Sequence, residues 1–181
     1  MDNYIDTIQS LLKRISSDQS YINFADTFVN LLLSHNSSSS PGFIYFAGNG
    51  GSLSSSSHFA TDVNNLFEKG FISLAGLTPS CFSQASRISN DYGYENIFCR
   101  DVLRYGSSIQ AIFVLSVSGN SPNILKLLRY ARDNEIPTFA LLGFSGNGEA
   151  ATLSDHTFSL PSTDFRVVED LHMIILVQFF P

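Results

Sequence analysis

The sequence is poor in cysteine and in basic residues. Its two cysteines, Cys81 and Cys99, lie far apart with no CxxC or histidine-rich pattern beside them, which excludes a disulfide framework and a zinc finger. The 10 basic residues are scattered and the formal net charge is −6, so the basic patch that binds a nucleic-acid backbone is missing. No apolar stretch reaches the roughly 18 to 20 residues of a membrane span, and the first residues lack a secretory signal. We therefore expect a cytoplasmic protein that binds neither nucleic acid nor membrane.

The composition indicates a folded domain. Hydrophobic residues make up 44% of the 181 residues and charged residues 14%, which is typical of a globular chain and unlike a disordered one. A chain of this length fits one domain with a sizeable core. We predict a single domain over residues 1–181, with a helical extension at 1–34 and an α/β core at 43–181.

Apolar periodicity predicts the order of helices and strands. Residues 1–34 carry two helical stripes, and a serine-rich loop at 35–42 follows them. Short continuous apolar runs then alternate with segments of helical period, and such runs are typical of strands buried on both faces. The predicted strands are 43–47, 71–75, 111–115, 138–142 and 157–160. This alternation predicts a five-stranded parallel sheet with helices on both faces, in which ligands bind at the carboxyl ends of the strands.

The first predicted strand leads into a glycine-rich turn. Its residues Asn49, Gly50, Gly51 and Ser52 follow Gly48, and a helix is predicted over 53–67. Glycines allow a sharp turn and close approach to a ligand, while a helix N-terminus favours an anion. The turn is neither a Walker A loop nor a full GxGxxG fingerprint, so no nucleotide cofactor is expected. A plain strand-to-helix connector is the alternative interpretation.

The third predicted strand ends in a serine-rich turn, which runs from Ser116 through Ser118, Asn120 and Ser121 to Pro122. Ser121 suits a helix N-cap and Pro122 the first helical turn, so capping explains that pair. Capping does not explain Ser116 and Ser118. Together the hydroxyls form a neutral cup of donors suited to a phosphate monoester.

The two turns, GNGGS and SVSGNS, resemble the paired phosphosugar-binding segments of the sugar isomerase (SIS) family. Residues 48–60, 89–97 and 169–172 (EDLH) also resemble its phosphoheptose isomerase branch. The resemblance implies a flavodoxin-like three-layer sandwich. It further implies an isomerase that interconverts sedoheptulose 7-phosphate and a heptose 7-phosphate for lipopolysaccharide or capsule biosynthesis. The resembled enzymes are homotetramers with sites formed between subunits.

Aldose–ketose isomerisation needs a base and a group that stabilises an oxyanion. His58 and Asp62 lie four residues apart and therefore share a helix face. Glu169 and His172 lie three residues apart and can share a face as well. By resemblance, Asp62 replaces a catalytic glutamate, His58 matches a histidine, and Glu169 replaces a glutamine that helps to bind metal. We predict catalytic roles for Asp62, Glu169 and His58, which as a set could hold a divalent metal such as zinc. The alternatives are a core-facing His58 and a solvated Glu169.

Other positions extend or limit the resemblance. It places Asn90 and Asp91 in a polar loop beside the sugar, whereas Val117 and Val177 stand where the resembled enzymes have threonine and histidine. A non-catalytic SIS module, which binds a sugar phosphate or a protein partner, is therefore the second hypothesis. The apolar C-terminal segment predicts a helix surface suited to another subunit, so we expect a homo-oligomer.

Overall fold

The computed structural model describes residues 3–34, 42–79, 81–143 and 148–179. The predicted loop at 35–42 falls almost entirely outside them, as do the last two residues. The helices are α1 (Tyr4–Ser16), α2 (Gln19–Ser34), α3 (Gly51–Glu68), α4 (Phe82–Tyr92), α5 (Ile97–Val102), α6 (Pro122–Asp133), α7 (Glu149–Leu153) and α8 (Phe165–Val177). The strands are β1 (Gly42–Ala47), β2 (Leu74–Leu77), β3 (Ile109–Ser116), β4 (Thr138–Leu142) and β5 (His156–Ser159).

The five strands form one parallel sheet in the order β2-β1-β3-β4-β5. The predicted fold class is thereby confirmed. The chain moves from β1 outward to β2, returns to β3, and then proceeds to the opposite edge. The order of strands therefore reverses between β1 and β3, and such a reversal opens a crevice at the carboxyl ends of the two strands.

Both faces of the sheet are covered by helices. Along β3, alternate side chains enter two separate apolar clusters, with Phe113 on one face and Ile112 on the other. The first face is covered by α1, α2, α3 and α8, and the second by α5, α6 and α7. Burial on both faces explains why the strand sequences are continuously apolar rather than alternating.

Aromatic rings fill the centre of the first face. The ring of Phe28, which is fully buried, lies 5.0 Å from that of Phe113, 5.2 Å from that of Phe139 and 5.8 Å from that of Phe59. The two closest pairs are edge-to-face, an arrangement that aromatic quadrupoles favour. These rings join α2 and α3 to β3 and β4, and so fix α3 against the sheet.

Element boundaries differ from the sequence-based expectation at the sheet edges. The strand predicted at 71–75 is β2 and begins at Leu74, because Phe71 belongs to the turn after α3 and is 67% exposed. The last strand starts and ends one residue earlier than predicted. The C-terminal helix ends at Val177. Across the described ranges, no helix is long and apolar enough to cross a membrane.

Candidate phosphate and catalytic site

The two predicted turns meet at the crevice between β1 and β3. Ala47 pairs with Val114 at the ends of these strands, so Gly48–Ser52 and Ser116–Ser121 leave the sheet side by side. A cleft of about 90 Å³ lies between them, and we call it the cup. Its lining residues are Asn49, Ser52, Leu115, Ser116, Val117, Ser118, Ser121, Phe165 and Glu169. The structure thus brings all four predicted serines together.

Two helices begin at the cup. The N-cap of α3 is Gly50, whose φ of 55° is a conformation that residues other than glycine rarely adopt. The N-cap of α6 is Ser121, but its hydroxyl makes no capping hydrogen bond, so the expected side-chain cap is absent. The positive ends of both helix dipoles favour an anion between them.

The second turn is shaped by its own serines. Gly119 N–H donates to Ser116 Oγ at 3.1 Å, and Asn120 N–H donates to Ser118 Oγ at 3.2 Å. Gly119 has a φ of 66°, which a side chain would disfavour. Because both hydroxyl oxygens act as acceptors, their protons remain available to donate to a ligand.

An amide pair that the sequence analysis missed joins the two turns. Asn49 Nδ2 donates to Asn123 Oδ1 at 2.9 Å, and Asn123 Nδ2 donates to Asn49 Oδ1 at 2.8 Å. Tyr94 Oη donates to the same Asn49 oxygen at 2.8 Å. Asn123 is fully buried. Asn49 therefore cross-links the cup walls, and the position of Asn123 directly after the Ser-Pro pair was the available signal.

Three predicted sugar-binding residues lie elsewhere. Asn120 accepts from Glu149 N–H at 2.9 Å and donates to the Ser118 carbonyl, so its side chain joins the turn to α7. Asn90 and Asp91 belong to the exposed last turn of α4 rather than to a loop, and within this chain neither lines the cup. Tyr94, just beyond Gly93, is the residue of this segment that reaches the site.

Glu169 lies at the cup, on the first turn of α8 after Phe165. A β-carbon built on Gly51 would lie only 2.5 Å from Glu169 Oε2, so the carboxylate contacts the first residue of α3 directly. Among the described residues, Glu169 is the only ionisable side chain that lines the cup. Glu169 was predicted as a catalytic or metal-binding carboxylate beside His58 and Asp62, and its contact with the first turn was not anticipated.

His58 and Asp62 lie together, but away from the cup. His58 Nε2 is 3.5 Å from Asp62 Oδ2, and their side chains are 57% and 31% exposed. Both face outward from α3, so a core-facing His58 is excluded. Within the described part of the chain, no three histidine, cysteine, aspartate or glutamate side chains converge on one point. The predicted metal set of His58, Asp62 and Glu169 therefore does not assemble within one chain.

The chain is similar to known proteins of the SIS domain family. A family model described as the SIS domain matches residues 3–143. Phosphoheptose isomerase 1 of Campylobacter jejuni is 35% identical over 136 residues, which cover 75% of this chain and 73% of that protein. A phosphoheptose isomerase of Helicobacter pylori is 36% identical over 137 residues, covering 75% and 70%.

The chain belongs to the SIS domain family.

Solved structures agree with the SIS fold. A phosphoheptose isomerase of Neisseria gonorrhoeae superimposes with a TM-score of 0.79 at 21% identity, covering 97% of this chain and 91% of the other. One from Francisella tularensis gives a TM-score of 0.72 at 23% identity, covering 97% and 95%. The SIS domain match ends at residue 143, so it includes the glycine-rich turn, the serine-rich turn and α3 but not α8.

Two positions where this SIS domain departs from the resembled isomerases have distinct surroundings. Val117 is buried in the apolar cluster, and its side chain faces Gly143. Val177 ends α8 and is 45% exposed. Val117 therefore contributes an apolar side chain to the core beneath the cup, whereas Val177 leaves an accessible apolar side chain.

His172 does not share the site of Glu169, contrary to one expectation from their spacing. His172 is fully buried, and neither ring nitrogen has a hydrogen-bond partner. Burial lowers the pKa of His172 to about 4, and the nearby Leu142 carbonyl acts in the opposite direction. In this SIS domain, the imidazole is therefore a neutral part of the core.

Proposed function

We propose that this chain is an aldose–ketose isomerase of the phosphoheptose isomerase type, which interconverts sedoheptulose 7-phosphate and a heptose 7-phosphate. Relatives named phosphoheptose isomerase are 34% to 36% identical to it. The observation that carries the proposal is the cup, in which Ser52, Ser116, Ser118 and Ser121 meet at two helix N-termini. Hydroxyl donors and helix dipoles suit a phosphate monoester.

The distance from the cup to the His58–Asp62 pair fits such a substrate. An exposed stripe runs along α3 through Gly51, Ser54 and His58 to the partly exposed Asp62. From Gly51 to His58 the helix rises roughly 10 Å, at 1.5 Å per residue. An extended seven-carbon chain with its phosphate also spans roughly 10 Å, because its eight bonds zigzag and each advances only about 1.25 Å along the chain. A sugar held by its phosphate therefore reaches the pair with its carbonyl end.

The two carboxylates have different tasks in this arrangement. Asp62 is the base that moves a proton between the adjacent carbons, because it lies at the carbonyl end of the stripe. His58, 3.5 Å from it, orients the sugar hydroxyls or donates to the developing oxyanion. Glu169 contacts Gly51 at the phosphate end, too far from the carbonyl carbons for the same task. The proton transfer is assigned to these side chains alone, because the predicted metal ligands His58, Asp62 and Glu169 do not converge within the described part of one chain.

The assembly is a homo-oligomer, and by resemblance a tetramer, in the cytoplasm. A groove between α1 and α8 is lined largely by apolar side chains, among them Ile5, Ile8, Met173 and Ile174. Ile5 is 61% exposed in the single chain. A second subunit would bury this surface. The product would serve lipopolysaccharide or capsule biosynthesis.

A non-catalytic sugar-phosphate module is the second candidate. Val177 favours it, because a histidine is expected at that position in the enzymes of this branch. Such a module would keep the cup and lose proton transfer. The cup alone therefore supports binding, and the pair on α3 supports catalysis.

Deuterium exchange separates the two functions. The protein is incubated with sedoheptulose 7-phosphate deuterated beside the carbonyl, with and without divalent ions, and loss of the label and formation of aldose phosphate are followed. We expect both. Binding of the sugar phosphate without any exchange, under every ion condition, would establish the non-catalytic module, and absence of binding would contradict both functions.

A further inference from the structure

Glu169 is an unusual neighbour for a phosphate site. Its partly buried carboxylate lines the same small cup as the four serines. Within residues 3–34, 42–79, 81–143 and 148–179, it has no hydrogen-bond or ion-pair partner. The nearest cation along α8, Arg166, is held by Asp164 at 2.8 Å. No described side chain therefore neutralises the charge of Glu169.

The position of this carboxylate is the one that suits an anion. It contacts Gly51, the first residue of α3, where the helix dipole and free amides are most favourable to negative charge. Glycine at 51 makes the contact possible, since a β-carbon there would collide with both carboxylate oxygens. Glu169 thus lies at the positive end of α3.

We propose that Glu169 is a built-in competitor of the phosphate group. Its carboxylate lies at the anion position beside α3, so it must move aside or tolerate a second negative charge when a phosphosugar binds. The inference rests on the proposed function, because it concerns the same cup. It makes Glu169 a residue that sets affinity and charge selectivity rather than one that moves protons.

Electrostatics set the expected size of the effect. In a cleft of about 90 Å³, a bound phosphate lies within several ångströms of the carboxylate, and no described cationic side chain lines the cup to offset the repulsion. At an effective dielectric constant of about 20, two unit charges at such a distance interact strongly enough to change binding by about tenfold or more.

The test compares Glu169→Gln with two controls. Glu169→Asp keeps the charge but shortens the side chain, so it separates charge from bulk. Asp170→Asn removes one charge from the adjacent position, which points away from the cup and accepts a hydrogen bond from Tyr4. Affinities for inorganic phosphate and for sedoheptulose 7-phosphate are measured by calorimetry with a chelator present, so that no divalent ion masks the carboxylate.

We expect Glu169→Gln to bind both ligands at least about tenfold more tightly than wild type, and Asp170→Asn to bind them like wild type. Glu169→Asp should remain closer to wild type than to the glutamine variant. Equal or weaker binding by Glu169→Gln, with measurable binding by wild type, would overturn the inference and leave the proposed function intact. A lack of binding by all four folded proteins would overturn the proposed function and the inference with it.

Discussion

The cup and the outer face of α3 are built in opposite ways. The cup lies between two turns that hydrogen bonds hold in place. Asn49 of the first turn bonds to Asn123 in α6 and to Tyr94, and the second turn is closed by its own serines. The pair of His58 and Asp62 is exposed, and the one contact found between its members is a 3.5 Å approach. The fold fixes the groups proposed to bind phosphate, whereas the groups proposed to transfer the proton are exposed. Binding and catalysis should therefore respond to different substitutions.

The largest difference between the effect on turnover and the effect on affinity is expected from Asp62→Asn. It removes the proposed base but leaves the cup unchanged, so turnover should fall by about 10² to 10⁴-fold while phosphosugar affinity stays the same. Rates of aldose phosphate formation and calorimetric affinities measure the two effects. Glu68→Gln, at the exposed end of the same helix, is the matched control and should retain full turnover. A parallel loss of affinity in Asp62→Asn would show that the two regions are not independent.

A second comparison lies within α8, where Glu169 faces the cup and His172 faces the core. The pKa of folded His172 is about 4, below the value of about 6.5 in an unfolded chain. The unfolded state therefore binds more protons between these values. Neutral His172 contributes its full share of stability above pH 6.5. As the pH falls towards 4, this share is lost, and the free energy of unfolding falls by about 3 kcal/mol.

His172→Leu tests this assignment. The variant removes the titrating group and two unsatisfied nitrogens, so at pH 7 it should be at least as stable as wild type. Denaturant unfolding at several pH values should show a smaller loss of stability between pH 6.5 and 4 than wild type shows. The difference between the proteins isolates His172 from the carboxylates that titrate in both. Parallel stability curves would contradict the buried, neutral imidazole.

The cup was more predictable from sequence than the surroundings of the catalytic residues. Glycine and serine after a buried strand act through backbone geometry and local hydrogen bonds, so Ser116, Ser118 and the turn at Gly50 could be placed without knowing the rest of the fold. The contacts of Glu169 and Tyr94 depend on how distant elements meet. Helical spacing suggested a shared face for Glu169 and His172, but packing placed one at the cup and the other in the core.

Substitutions in the cup should weaken phosphosugar binding by a smaller factor than Asp62→Asn lowers turnover. Ser118→Ala and Ser121→Ala each remove one donor to a charged group, which costs about 1.5 to 3 kcal/mol, or roughly 10- to 100-fold in affinity. Because Ser121 makes no capping hydrogen bond, its variant should unfold at nearly the wild-type denaturant concentration. Ser107→Ala, in a separate turn before β3, is the control for calorimetry. Unchanged affinity in both cup variants would refute the phosphate assignment.

The smallest effect is expected from Tyr94→Phe, and it tests whether the cross-link between the turns contributes to binding. The variant removes the hydroxyl that donates to Asn49 Oδ1 at 2.8 Å, while the reciprocal pair with Asn123 remains. Since Tyr94 is partly exposed, water can replace its hydrogen bond, and the loss in phosphosugar binding should not exceed about 1 kcal/mol, or about fivefold.

Tyr92→Phe is the matched control for this substitution. The guanidinium of Arg100 lies 3.4 Å above the centre of the Tyr92 ring, and phenylalanine retains a ring there. Calorimetry on both variants should therefore show weaker binding for Tyr94→Phe alone, with turnover at saturating substrate unchanged because Asp62 is untouched. If Tyr94→Phe lowered that turnover instead, the segment from Gly93 would act on the carbonyl end of the sugar as well, and the separation between a preformed cup and an open catalytic face would fail.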